Sequence, residues 1–230
     1  TAGRGWASRV LFSDDESTAV DAAIKMGLQL FLSRQKEHKN KNGGLEGKDL
    51  TVMALEDCYH ADTCNDTRGY CFLPAPTVGY VNGVLQITDV DDTHGTYTNI
   101  AQIMNIEQRL ITDKALYQQY TTDIQSRWKT HENNTNSVIA STIIQPLLMG
   151  GPKTQRGRGE KTPITFVDPL FQRALCDVSK SHDAPLIFDQ VFAGLWRLGH
   201  ACSGTVLGVA PDIATFGTLS TGVGSATAFG

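Results

Sequence analysis

The stretch APLIFDQVFAGLWRLG, residues 184–199, runs from four strand-forming residues, Pro185 to Phe188, straight into a carboxylate, Asp189. A loop carrying Phe192, Trp196 and Arg197 follows. A short continuous apolar run fits a strand covered on both faces, as in the interior of a parallel sheet. In open α/β sheets ligands sit beyond the carboxyl ends of such strands, which is where Asp189 falls. Spacing alone leaves a second account open, in which Asp189 only caps the turn that follows it.

Working outward, the other segments alternate between strand and helix. SRVLF (8–12) reads as a short buried strand, SDDES as a polar turn, and Thr18 to Arg34 as a helix with Val20, Ile24, Leu28 and Phe31 at spacings of three and four. Asp15 or Ser17 caps its first turn. KEHKNKNGGLEGK (36–48) is an exposed loop, and LTVMAL (50–55) a second interior strand. Asn82-Gly83 between two β-prone runs predicts a tight hairpin, because both residues tolerate positive φ. Residues 97–128 are helical in pattern, as one helix or two. VIASTIIQPLL (138–148) reads as a strand, 150–161 as a loop rich in Gly, Lys and Arg, Asp168–Ser181 as a helix and PDIATF (211–216) as a short strand. This alternation predicts an α/β fold with a mostly parallel sheet and helices on both faces.

The 230 residues are 40% hydrophobic and 19% charged, the balance of a globular chain with one large domain or at most two. A net charge of −4 supplies no positive field for a nucleic-acid backbone or an anionic membrane, so neither partner is expected. With no long apolar run, no signal-peptide pattern and an odd five cysteines, a soluble intracellular chain in a reducing compartment is expected. Cys58, His60, Cys64 and Cys71 are soft ligands but lack a paired C-x2-C knuckle, and no metal site is expected from them.

Several stretches resemble the class III, fold type I aminotransferases that use pyridoxal 5'-phosphate, and within them the branch that makes 7,8-diaminopelargonate in biotin synthesis. They are GRGWASRVLFSDDESTAVDAAIKM (3–26), YHADT (59–63), IIQPLL (143–148), VDPLFQRAL (167–175), LIFDQVFAGLWRLG (186–199) and PDIATF (211–216), in family order over most of the chain. The resemblance implies that Asp189 pairs with the pyridine nitrogen of the cofactor and that Val191 packs on its ring. It implies that Tyr59 stacks on the opposite face, with His60 beside it. The phosphate would lie on the backbone N–H groups of Glu16, Ser17 and Thr18, where a helix N-terminus favours an anion.

Departures from the family pattern are as informative. After PDIATF the chain reads GTLSTGV, placing Thr218 where the family has its cofactor-bearing lysine. A hydroxyl replaces neither the covalent attachment nor the proton shuttling of an amine, so no catalytic residue is assigned and impaired transamination is expected. Glu16 stands where the family has glycine, adding bulk and a charge that repels each phosphate charge by roughly 3 kcal/mol at about 5 Å. Ala61, Gln145 and Gln190 are milder changes. Against the family, the chain reads as a partial large cofactor domain over 1–230, incomplete at both ends and without the C-terminal small domain.

The resemblance implies an amino donor, S-adenosylmethionine or lysine, a keto acceptor, 8-amino-7-oxononanoate, and a homodimer or a place in a larger assembly. The compartment would be mitochondrial or cytoplasmic. The competing function is a non-catalytic relative serving as a structural or interaction subunit.

Overall fold

The computed structural model describes residues 3–37, 45–60, 69–88, 93–148, 164–217 and 225–229. The chain opens with β1 (Arg9–Ser13), α1 (Glu16–Glu37), β2 (Asp49–Leu55) and β3 (Tyr70–Leu73). The middle holds β4 (Thr77–Val81), β5 (Val84–Thr88), β6 (Thr93–Tyr97), α2 (Ile100–Met104), α3 (Ile106–Thr112) and α4 (Lys114–Asn134). Then come β7 (Ser137–Ile144), β8 (Leu147–Leu148), β9 (Thr165–Val167) and α5 (Pro169–Ser181). β10 (Leu186–Asp189), α6 (Ser203–Leu207), β11 (Ile213–Phe216) and β12 (Ser225–Phe229) complete the order.

The large sheet has the order β1-β12-β11-β10-β7-β2-β3. β3, β2, β7, β10 and β11 pair in parallel. β12 is antiparallel to both β11 and β1, so β1 points the same way as β11. One edge of the sheet therefore collects the carboxyl ends of β1, β2, β7, β10 and β11, and with them the start of α1.

Alternation along the strands covers both faces. Val52, Ala54, Ile143, Ile187 and Ile213 pack with Val20, Ala23 and Ile24 of α1. Their neighbours Met53, Leu55, Ile144, Leu186, Phe188 and Ala214 pack with Trp128 of α4 and with Leu170, Ala174 and Val178 of α5. Apolar side chains on both faces explain why these strands read as unbroken hydrophobic runs.

α1 approaches the sheet closely at Gly27, where an added methyl would come within 2.9 Å of both Ile187 Cδ1 and Ser141 Oγ. Gly27→Ala is expected to cost a net ~1 kcal/mol, because overpacking of about 1–3 kcal/mol exceeds the roughly 1 kcal/mol gained in helix propensity. A higher urea midpoint for this variant would contradict such tight packing.

A second sheet, β6-β5-β4-β9-β8, is antiparallel. The expected hairpin forms it: Val81 pairs with Val84, and Asn82 and Gly83 take φ of 51° and 80°, the signs a type I′ turn needs.

Three expectations are corrected. β1 is not buried: among the described residues it pairs on one side only, with β12, and Phe12 is 77% exposed. The helical stretch 97–128 is neither one helix nor two but α2, α3 and α4, because the side chains of Asn99 and Asn105 accept from Gln102 and Gln108 N–H and start new helices. The run 138–148 breaks at Gln145-Pro146, since proline cannot donate to the ladder, and β8 joins the second sheet.

Candidate functional site

Asp189 ends β10, and its side chain shares the face of Ile187, the α1 side, because alternate strand residues point the same way. It is 1% exposed. Its Oδ1 accepts from the Val191 N–H at 3.1 Å and from Thr215 Oγ1 at 3.4 Å, while Oδ2 lies 2.9 Å from His60 Nδ1. The capping role and the buried-acid role are therefore both present in one carboxylate.

His60 follows β2 and is buried. Burial alone would lower its basicity, but the Cys58 thiol and the Asp189 carboxylate outweigh it and raise the pKa to about 10. The pair is thus an imidazolium on a carboxylate at neutral pH. His60 Nε2, also buried, has no hydrogen-bond partner among the described residues.

Gln145, at the end of β7, clamps the Tyr59 backbone. Its Oε1 accepts the Tyr59 N–H at 3.0 Å, and its Nε2 donates to the Tyr59 carbonyl at 3.0 Å. A glutamate could make only the first bond, which gives the glutamine here a physical role. Tyr59 itself is 43% exposed.

The start of α1 completes the edge. Asp15 caps it, accepting the Thr18 N–H at 2.6 Å, and these bonds to Thr18 hold the Asp15 carboxyl below its usual range. Ser17 lies in the first turn. A methyl at Gly217 would overlap Glu16 Cγ and come within 2.9 Å of Val191 Cγ1. The Glu16 side chain therefore lies over Gly217, beside Val191.

The fold brings Glu16, Ser17, Thr18, Tyr59, His60, Asp189 and Val191 to one sheet edge. Thr218, with Ala61, lies outside the described residues. Thr215 and Gln145 were not singled out as site residues. Their signal was available: each is polar within or just after an apolar strand that ends beside Asp189, as Asp189 itself is.

Among the described residues no group of three His, Cys, Asp or Glu side chains is arranged to hold a metal ion, and no helix is long and apolar enough to cross a membrane. The donors that could meet a heterocyclic cofactor are the buried Asp189, supported by His60, with Val191 and Tyr59 as ring contacts. The helix end fits an anion less well, since Asp15 already holds the Thr18 N–H and Glu16 stands beside it.

No protein-family model matches the chain. The bifunctional dethiobiotin synthetase/7,8-diamino-pelargonic acid aminotransferase of Arabidopsis thaliana, described as mitochondrial, is 31% identical over 96% of this chain and 28% of its own length. The adenosylmethionine-8-amino-7-oxononanoate aminotransferase of Mycobacterium leprae is 24% identical over 93% of this chain and 39% of its own length. The chain thus spans well under half of each relative. The solved taurine:2-oxoglutarate aminotransferase from Bifidobacterium kashiwanohense, in complex with PLP and glutamate, superposes with a TM-score of 0.61 at 15% identity, over 99% of this chain and 44% of that one.

The fold is the one seen in solved aminotransferases, and the chain is similar over nearly its whole length to a part of curated aminotransferases. Among those relatives are 7,8-diaminopelargonate aminotransferases, both stand-alone and combined with dethiobiotin synthetase.

Proposed function

We propose that the chain is the cofactor-binding part of an aminotransferase resembling the enzyme that transaminates 8-amino-7-oxononanoate in biotin biosynthesis, with pyridoxal 5'-phosphate as its cofactor. One observation carries this reading: a carboxylate, Asp189, buried at the end of an interior strand on the side of the sheet where α1 begins. When bound, the cofactor supplies a protonated pyridine ring that draws electrons from a substrate carbanion.

The chain's own residues have separate tasks. Asp189 would hold the ring nitrogen, supplying the negative charge that keeps it protonated. His60 fixes the orientation of that carboxylate through Oδ2, and Val191 N–H and Thr215 do so through Oδ1. Val191 and Tyr59 offer apolar faces to a planar ring, and Gln145 fixes the backbone that carries Tyr59. Glu16, Ser17 and Thr18 form the anion end, where Glu16 must leave Gly217 to admit a phosphate. An amino donor and a keto acceptor would be the substrates, the assembly a homodimer, and the compartment mitochondrial or cytoplasmic.

Equilibrium titration with pyridoxal 5'-phosphate, followed by its absorbance, tests the reading. Asp189→Asn is expected to weaken binding about 10- to 100-fold, the worth of a charge-assisted hydrogen bond of roughly 1.5–3 kcal/mol. Equal affinity of the variant and the parent would overturn the assignment.

A second reading, a non-catalytic subunit, is favoured by the position of Glu16 over Gly217 and by Thr218 in the sequence. It forecasts no saturable binding to the parent chain. Under it, transamination would not appear even in a Thr218→Lys, Glu16→Gly variant of the full-length protein.

A further inference from the structure

The two ends of the candidate site offer different things to a ligand. At one end Asp189 is a buried carboxylate held by His60, Thr215 and the Val191 N–H. His60 Nε2, also buried, has no acceptor among the described residues, so this end keeps a donor for a ligand. At the other end stands Glu16, the first residue of α1. It is half-buried, and its side chain lies over Gly217 and beside Val191, the residue whose N–H Asp189 holds. Val191 thus borders both carboxylate side chains.

Charge and volume at the Glu16 end act in the same direction. A phosphate ester adds about two negative charges to a ligand, and a carboxylate repels them. Asp15 brings a second carboxylate to this helix end and already accepts the Thr18 N–H, a donor that an anion would otherwise use. Glu16 also fills the space over Gly217. A free hydroxymethyl group is smaller than its phosphate ester, carries no charge, and can donate its O–H to a carboxylate.

We propose that Glu16 sets the ligand class of this site: a pyridine ring bearing a free hydroxymethyl group, in preference to its phosphate ester, with the ring nitrogen at Asp189 and the hydroxymethyl end at Glu16. This rests on the proposed cofactor reading, in which the ring nitrogen meets Asp189. Pyridoxal 5'-phosphate then binds only when Glu16 swings off Gly217, and so more weakly than its dephosphorylated form.

Pyridoxine and pyridoxine 5'-phosphate are the probes, since neither has an aldehyde to react with lysines, and calorimetric titration of the full-length protein gives both dissociation constants. The readout is their ratio, which a general loss of folded protein leaves unchanged. Pyridoxine is expected to bind at least ~10-fold tighter than its phosphate. Glu16→Gly should move the ratio at least ~10-fold towards the phosphate, and Glu16→Gln, which keeps the bulk and removes the charge, should move it part of the way. Asp189→Asn should weaken both ligands alike and leave the ratio in place. Phosphate bound by the parent as tightly as pyridoxine, or a ratio that neither Glu16 variant alters, would overturn the proposal, and an equal loss of both ligands in Asp189→Asn would then leave the ring reading standing. Affinities that Asp189→Asn does not change, or binding of neither ligand, would overturn both.

Discussion

Truncation of Arg109 to alanine is expected to destabilise the fold by about 3–5 kcal/mol, the usual cost of stranding one member of a buried ion pair. Arg109 is 2% exposed and Asp168 fully buried. The guanidinium binds both oxygens of Asp168, with Nη2 at 3.1 Å from Oδ2, while its Nε donates to Asp113 at 2.7 Å and Nη1 to the Ile103 carbonyl at 3.3 Å. Asp168 in turn caps α5 through the Leu170 N–H and accepts from Tyr120. One arginine therefore ties α2, α3, α4 and α5 together. Urea denaturation measures the loss. A shift below about 1 kcal/mol would show that water reaches the stranded aspartate, contrary to its burial. Replacing both Arg109 and Asp168 by apolar residues should recover much of the loss, since no charge is then left uncompensated.

The His60–Asp189 pair is expected to make the fold less stable in alkali. His60 is raised from its ordinary 6.5 to about 10, so the folded chain holds this proton more tightly than the unfolded one. The resulting stabilisation is complete below about pH 6.5 and is lost as pH rises through about 10, with a full size on the order of 5 kcal/mol. Urea midpoints taken between pH 6.5 and pH 10 should fall for the parent chain. They should fall far less for His60→Asn, a comparison that removes the contribution of tyrosines and lysines titrating in the same range. Identical slopes for the two proteins would mean that His60 gains no proton on folding.

Much of the architecture was legible because it rests on local rules. The continuous run ending in Asp189, the Asn82-Gly83 turn and the periodicity of α1 each follow from residue chemistry alone. The errors arose where a decision depends on distant partners. Val10, Leu11 and Phe12 have the composition of an interior strand, and only the sheet order shows that nothing flanks them on one side among the described residues. The division of 97–128 turns on two asparagine caps and the Arg109 network, none of which alters hydrophobic periodicity. At the site, the acid at a strand end was readable, but its contact with His60 joins residues 129 positions apart and needs the fold. Glu16 was expected to disturb an anion site through both its bulk and its charge. The fold adds the place where that bulk lies, since the side chain covers Gly217.

Among the described residues β1 reaches the large sheet only through β12, and this ties the order of assembly to the order of synthesis. Until residue 229 has been added, Arg9–Ser13 have no hydrogen-bonding strand among the described residues, and Val10, Leu11 and Phe12, exposed even in the finished fold, stand on a strand with neither edge paired. Closing so distant a pair late is slow, and it leaves a sticky edge open to strangers in the meantime. β1 is thus a segment that gains from a chaperone while the rest of the sheet is being made.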